Sequence, residues 1–132
     1  MNKFTGIMTP LPTPFTDDFR LKDNTVREIM KMHIENGISG SYVCGGTGEG
    51  VGIPDKLRME MCETVIDEAK GKKPVIVHVG AAKFSSAREL AYTPRNAART
   101  ALQAYRRFTF HTTEPMFTTT TKSLQRVLTF PL

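Results

Sequence analysis

The sequence predicts an α/β protein in which short strands alternate with amphipathic helices around a parallel sheet. Two segments carry apolar residues spaced three and four apart, as helices do, and a compact run of β-branched residues follows the second of them. Glycine or proline breaks separate these segments. An open doubly wound sheet and a closed barrel both begin with this alternation, and 132 residues allow one small domain or part of a larger one.

The first unit is predicted to be an extended segment followed by a helix. Prolines within residues 6–15 exclude a helix there. Asp23 or Asn24 is expected to cap the next helix, and Gly37 is expected to stop it. The apolar face of this helix consists of Val26, Ile29, Met30 and Ile34.

The second and third units repeat this pattern. A short strand is predicted to end at Val43, and Pro54 suits the first turn of a helix that runs to about residue 69 with its charges on the polar face. Residues 75–80 (VIVHVG) read as a strand buried on both faces, and a further helix is expected from about residue 85. The expected core-facing residues of the two helices are Leu57, Met61, Val65, Ile66, Ala87, Leu90 and Ala91.

A glycine-rich loop, residues 45–50 (GGTGEG), follows the predicted second strand. Glycine lets backbone approach a ligand closely, the N–H groups of the following helix start attract anions, and the Thr47 hydroxyl can donate to a carboxylate or phosphate. The loop therefore predicts an anion-binding strand end, with a tight turn that binds nothing as the alternative. Thr9 and Thr13 either line the same edge or serve as turn and cap residues. His78 is interpreted as a buried, hydrogen-bonded histidine rather than a base.

The net charge of +5 comes entirely from the last third of the chain. Residues 1–89 hold 12 acidic and 12 basic residues, whereas residues 90–132 hold six basic residues, one acidic residue and ten threonines. Such a segment can bind nucleic acid through counterion release. Because its basic residues have no regular spacing and form no recognised motif, we do not expect nucleic-acid binding.

Several classes of protein are excluded by what the sequence lacks. Three prolines interrupt residues 1–14, which do not resemble a secretory signal, and no apolar run approaches the roughly 20 residues of a membrane span. Cys44 and Cys62 make no disulfide framework and are expected to be buried thiols in a reducing cytosol. Neither pairs with His33 or His78 at a metal-binding spacing, so no metal or cofactor is expected.

Three segments in order resemble the dihydrodipicolinate synthase / N-acetylneuraminate lyase family of class I, Schiff-base pyruvate aldolases. They are residues 6–15 with their Thr-Pro-Phe ending, residues 45–49 (GGTGE) and residues 74–80 (PVIVHVG). The His-Val-Gly ending is closer to the N-acetylneuraminate lyase branch. The resemblance covers roughly residues 4–92, and implies about three βα units from the N-terminus of a (β/α)8 TIM barrel with chemistry at the carboxyl ends of its strands.

The resemblance also implies a pyruvate site. In the family, a hydroxyl pair after strand two holds the pyruvate carboxylate, a lysine on strand six forms the Schiff base, and a tyrosine on strand five relays protons. Thr47 matches the second hydroxyl, and Gly46 stands where the first belongs. The Gly46 N–H can still donate, but one side-chain hydrogen bond of about 1.5–3 kcal/mol is lost. Glu49 matches the motif glutamate, interpreted as a structural partner.

No residue of this chain matches the family's catalytic lysine or tyrosine, and Lys122 does not lie in a buried strand pattern. Intact relatives are expected to be homo-oligomers acting on pyruvate or another 2-oxo acid. The sequence therefore predicts a member of this lyase family that is inactive alone. A non-catalytic binder of small carboxylates and a basic interaction module are the alternatives.

Residues 93–132 are predicted to be a basic, threonine-rich tail outside the family, irregular or disordered. A tyrosine codon read one base later becomes ACN or ATN, so a tyrosine-rich run turns threonine-rich, as at residues 118–121. We hypothesise that a shift of reading frame near residues 92–101 produced this tail. Genomic sequence that restores no family match in either alternative frame would reject the hypothesis.

Overall fold

The computed structural model describes residues 5–92 and 100–103, the last four through their backbone alone. Strands and helices alternate as predicted, and the four strands form one parallel sheet in the order β1-β2-β3-β4. The elements are β1 (Met8–Pro10), α1 (Asp23–Glu35), β2 (Gly40–Val43), α2 (Asp55–Ala69), β3 (Val75–His78), α3 (Phe84–Tyr92) and β4 (Thr100–Gln103).

The position of β4 distinguishes between the two sheet architectures left open by the sequence. The two common doubly wound sheets both reverse their strand order at a switch point: in one the fourth strand pairs with the first, and in the other the third strand pairs with the first. Here β3 pairs with β2 and β4 pairs with β3, with Val77 opposite Leu102 and His78 opposite Gln103. Each strand thus follows its predecessor around the sheet, which is the order of a (β/α)8 barrel.

The face of the sheet that packs against the helices is more deeply buried than the opposite face. Ser41 and Val43 are buried, and the Ser41 hydroxyl donates to Met30 Sδ of α1 at 3.4 Å. Successive side chains of a strand point to opposite faces, so Tyr42 and Ile76 lie on the other side, where they are half-buried. The core between sheet and helices includes Val26, Met30, Val43, Met61, Val65, Val75, Val77 and Leu90.

The start of α1 differs from its prediction. Lys22 is the N-cap and gives no side-chain cap, and Asp23 is the first helical residue. The Asp23 carboxylate instead accepts hydrogen bonds from Thr64 Oγ1 at 2.5 Å and Arg27 Nε at 2.7 Å. The prediction that Asp23 or Asn24 caps the helix is wrong, because a partner on α2 occupies the Asp23 side chain.

The ends of the two long helices use left-handed backbone. Gly37 follows α1 with φ of +73°, as its predicted role as a helix stop requires. After α2, Lys70 and Gly71 have φ of 48° and 65°. Pro54 immediately precedes α2, where its missing N–H costs no helical hydrogen bond.

The buried faces of α2 and α3 largely match their predicted apolar residues. Leu57, Met61 and Val65 are buried, as are the predicted residues of α3, and Ile66 is partly buried against the core. The prediction that the charged residues of α2 all lie on its polar face is wrong at Arg58, which is buried with the apolar residues. Among the described helices none is both long and apolar enough to cross a membrane.

The predicted boundary at residue 92 falls short of the observed sheet, since β4 begins at Thr100. The short segment at residues 100–103 has no β-branched run that would have predicted it. The remainder of the predicted tail, residues 93–99 and 104–132, including Lys122 and the threonine run, lies outside the described residues. Its irregular structure and its frameshifted origin therefore stay predictions.

Candidate functional site

The glycine-rich loop lies at the carboxyl edge of the sheet, directly after β2. Cys44, the first residue past the strand, has φ of 56°, and Glu49 has φ of 53°. Both values are left-handed and uncommon for residues other than glycine. Because the strands are parallel, the ends of β1 and β3 meet at the same edge, so residues from all three units lie around this loop.

Hydrogen bonds within the loop fold it into consecutive turns. The Glu49 N–H donates to the Gly46 carbonyl and the Gly50 N–H to the Gly45 carbonyl, each at 3.1 Å. In the part of the chain that the structure describes, the Gly46 and Thr47 N–H groups donate to no backbone carbonyl. The loop thus places two adjacent amide donors at the edge of the sheet.

The loop requires glycine at some of its positions and not at others. A Cβ at Gly50 would overlap the Cys44 carbonyl oxygen, and a Cβ at Gly48 would lie 2.9 Å from the Leu11 carbonyl oxygen. Those two positions therefore require glycine. At Gly46 a Cβ would meet nothing within 4 Å. The hydroxyl residue implied there by the family resemblance would fit without a clash.

Thr13 fastens the loop to the segment after β1. Its buried Oγ1 donates to the Gly48 carbonyl at 2.7 Å. Nearby, the Leu11 N–H donates to the Tyr42 carbonyl at 2.9 Å. Thr13 is therefore neither a helix cap nor a free lining residue, but a support for the loop. Thr9 is half-buried within β1, opposite Ser41.

Thr47 and Gly46, the two predicted site residues, lie side by side and are exposed. Among the described residues the Thr47 hydroxyl makes no side-chain hydrogen bond, so it can donate outward. Glu49 is also exposed, and its carboxylate joins no ion pair in the described ranges. Glu49 therefore contributes to the loop structure through its left-handed backbone and not through its side chain.

The start of α2 contributes less to the site than the sequence predicted. The helix begins at Asp55, and the turns of residues 48–53 separate it from Thr47. Ile53, buried within this connection, anchors it to the protein. The available N–H groups at the strand end belong to the loop itself and not to the first turn of the helix.

Sequence reasoning missed Arg58, which lies behind the loop. Its Nη2 donates to the His78 carbonyl at 2.6 Å, and its own carbonyl oxygen is 3.9 Å from Cys44 Sγ. The charge of Arg58 argued against placing it in the core. Its position three residues before Met61 and seven before Val65, on the buried face of α2, was the available signal.

Burial governs the titration of the groups around Arg58. It raises the pKa of the Cys44 thiol to about 11 and that of Cys62 to about 12. Both thiols are free and buried, as predicted. Burial also lowers the pKa of His78, with the Arg58 charge acting in the same direction and a hydrogen bond to the Cys44 backbone opposing it. Within the described residues no group of three or more His, Cys, Asp or Glu side chains is arranged to hold a metal ion.

Comparison with known proteins identifies the family. The model of the dihydrodipicolinate synthetase family matches residues 3–114, past the limit that the sequence resemblance set at residue 92. An N-acetylneuraminate lyase from Citrobacter koseri is 37% identical over 86 residues, covering 65% of this chain and 29% of that protein. The chain therefore spans less than a third of this curated relative.

Solved structures agree with the fold. A dihydrodipicolinate synthase from Bacteroides thetaiotaomicron is 30% identical with a TM-score of 0.82, covering 96% of this chain and 43% of that one. A prophage protein of the dihydrodipicolinic acid synthase family from Escherichia coli K12, solved in complex with pyruvate, is 22% identical with a TM-score of 0.85, covering 97% and 43%. The chain belongs to the dihydrodipicolinate synthetase family, as an N-terminal portion of its (β/α)8 barrel.

Proposed function

We propose that this chain provides the pyruvate-carboxylate site of a Schiff-base lyase of the N-acetylneuraminate lyase type, and that the 132 residues alone do not catalyse carbon–carbon cleavage. The observation that carries the proposal is the pair of exposed donors at the carboxyl end of β2. Gly46 and Thr47 present two amide N–H groups and one hydroxyl without protein acceptors in the described residues.

This donor set suits a small carboxylate. Two adjacent N–H groups and a hydroxyl can bind both oxygens of a carboxylate, and hydrogen bonds to a charged acceptor are stronger than neutral ones. The loop is held in place by Thr13 and by its own turns, so little ordering is needed on binding. A pyruvate complex of the Escherichia coli K12 relative is consistent with this class of ligand.

The proposal that the chain has no turnover depends on where its lysines lie. A Schiff-base lysine needs a lowered pKa, which a desolvated pocket can supply. None of the lysines in residues 5–92 lies in a strand or is fully buried. The same proposal places the chain in the cytosol, consistent with the two free thiols, and treats residues 93–132 as a segment whose reading frame needs checking against the gene.

Binding is tested by titrating the ¹⁵N-labelled chain with pyruvate and following its amide signals. We expect selective shifts at Gly46 and Thr47. Thr47→Val keeps the shape and removes the hydroxyl, so it should weaken binding by about ten- to a hundredfold, the equivalent of one hydrogen bond to a charged group. Thr47→Ser, which keeps the hydroxyl, is the matched control and should bind nearly as the parent does.

Equal affinities of the valine and serine variants would reject the role of the hydroxyl. Shifts spread over many exposed amides, and reproduced by chloride at equal ionic strength, would reject the site. Schiff-base formation, which turnover requires, is tested separately by reduction with borohydride in the presence of pyruvate, followed by mass spectrometry. We expect no adduct of one reduced pyruvate, and its appearance would overturn the proposal of inactivity.

A further inference from the structure

Arg58 is a buried guanidinium with little electrostatic compensation. Its exposed fraction is 2%. Buried arginines are usually paired closely with a carboxylate, because an isolated charge is strongly disfavoured away from water. Among the described residues, the carboxylate within ion-pair range is Asp55, at 3.8 Å from Arg58 Nη1, which is too long for a direct hydrogen bond. A salt bridge therefore does not account for the burial of this side chain.

The short contacts of Arg58 are to the ends of two strands. Nη2 donates at 2.6 Å to the carbonyl of His78, the last residue of β3. The Arg58 carbonyl oxygen lies 3.9 Å from Sγ of Cys44, the residue at which β2 turns into the glycine-rich loop. The Arg58 side chain also acts on this thiol, since its charge and hydrogen bond oppose the rise in the Cys44 pKa that burial causes. The side chain of one residue of α2 thus interacts with the carboxyl ends of both neighbouring strands.

Arg58 is connected to the glycine-rich loop through Cys44, which it contacts. The left-handed backbone of Cys44 sets the direction in which the chain leaves β2. Its carbonyl oxygen packs against Gly50 so closely that a Cβ there would overlap it. A shift of Cys44 would therefore move both ends of the turn that presents Thr47.

We propose that Arg58 is a positioning residue, which holds the ends of β2 and β3 together and so fixes the loop that presents Gly46 and Thr47. The part of this inference that concerns ligand affinity rests on the proposed pyruvate site. The part that concerns loop geometry does not. Arg58 itself is too deeply buried to contact a ligand at the exposed Thr47.

The test uses hydrogen exchange and pyruvate titration on the full 132-residue chain. Arg58→Met removes the charge and all the N–H donors while keeping an unbranched apolar stem. Arg58→Lys keeps the charge and one donor group. Lys56→Met is the matched control, since Lys56 lies on the same helix, is 89% exposed and loses the same charge.

In Arg58→Met we expect the Glu49 and Gly50 amides to lose protection from exchange. The Lys22 amide, bonded to the Pro14 carbonyl, should keep its protection. Pyruvate should bind about tenfold more weakly or worse, comparable to loss of one charged hydrogen bond. Arg58→Lys should restore part of both properties, and Lys56→Met should change neither.

Two results would overturn the inference: unchanged protection of Glu49 and Gly50 in Arg58→Met, or an equal loss of protection across α1 and the loop. The second would mean a merely structural role in the whole core. If Arg58→Met does not fold, the same comparison is made between Arg58→Lys and the parent chain. A parent chain that binds no pyruvate would reject the proposed function, while the exchange measurements would still decide the role of Arg58.

Discussion

At the scale of single residues, the two glycines of the loop at positions 46 and 50 differ in the space around them. Gly50 packs directly against the Cys44 carbonyl oxygen, whereas Gly46 has open space where a side chain would begin. Both look alike in the sequence GGTGEG, because sequence shows which residue type is present and not what surrounds it. The structure thus separates a glycine required by packing from one that is not.

This difference gives a matched pair of substitutions. Gly50→Ala should lower the free energy of unfolding by about 1–3 kcal/mol, the usual cost of forcing an extra methyl group into packed surroundings. Gly46→Ala should change it by less than about 0.5 kcal/mol, as surface substitutions do. Urea unfolding followed by circular dichroism measures both. Equal effects of the two substitutions would contradict the packing argument.

Residue types that act within their own segment were predictable from sequence, and those that act across segments were not. The loop that carries Thr47 was placed correctly after β2 because its glycines mark a turn by themselves. Asp23 was misassigned as a cap because its partner, Thr64, is far along the chain. Arg58 was missed for the same reason, since its acceptor is the His78 carbonyl on another strand.

At the scale of elements, α1 and α2 are joined by a cluster of charges centred on Arg27. Its Nη1 lies 2.6 Å from Asp67 Oδ2 and 3.3 Å from Glu68 Oε2, and its Nε lies 2.7 Å from Asp23 Oδ2. The hydrogen bond to Asp67 is the main cause that raises the Arg27 pKa. Hydrogen bonds from Thr64 and then Arg27 lower the pKa of Asp23 from its usual 3.8.

Arg27→Met should lower the midpoint of thermal unfolding, and the loss should shrink with added salt, because ion pairs near the surface are screened. Arg20→Met is the control, since Arg20 pairs only with the exposed Asp18 among the described residues and should matter little. The contribution of the Asp23 carboxylate to the stability of the fold is present above pH 3.8 and is lost as the pH falls through the lowered pKa of this group. Calorimetry at low and high salt measures the first effect, and calorimetry over a series of pH values from 7 downward measures the second. An equal loss in the two variants would contradict this account of the helix pair.

Helix faces were predicted well because they depend on local periodicity, which α1, α2 and α3 all show. The strand β4 was not predicted, because four residues without a β-branched run carry little local signal. Its existence depends on pairing with β3, a contact between distant parts of the chain.

At the scale of the whole molecule, the described sheet has β1 and β4 at its two edges, each paired on one side. In the (β/α)8 barrels that it resembles, every strand has two neighbours. Unpaired strand edges favour association with other chains. Ile7, next to β1, is 68% exposed and adds an apolar side chain to that edge.

We therefore expect the purified 132-residue chain to self-associate or to be loosely packed. Sedimentation velocity should detect species larger than the 14.7 kDa monomer, or a hydrophobic dye should bind to the monomer. Unfolding by urea should be broad. A monodisperse monomer with a sharp, cooperative transition would contradict this expectation and would mean that the described sheet is stable with its edges open.

The open space at Gly46 has a consequence at the level of the gene. Two of the four glycine codons become serine codons through one nucleotide change, and the backbone around Gly46 already accommodates a side chain. With either of those codons, one mutation would place a serine hydroxyl beside Thr47 with no rearrangement of the backbone.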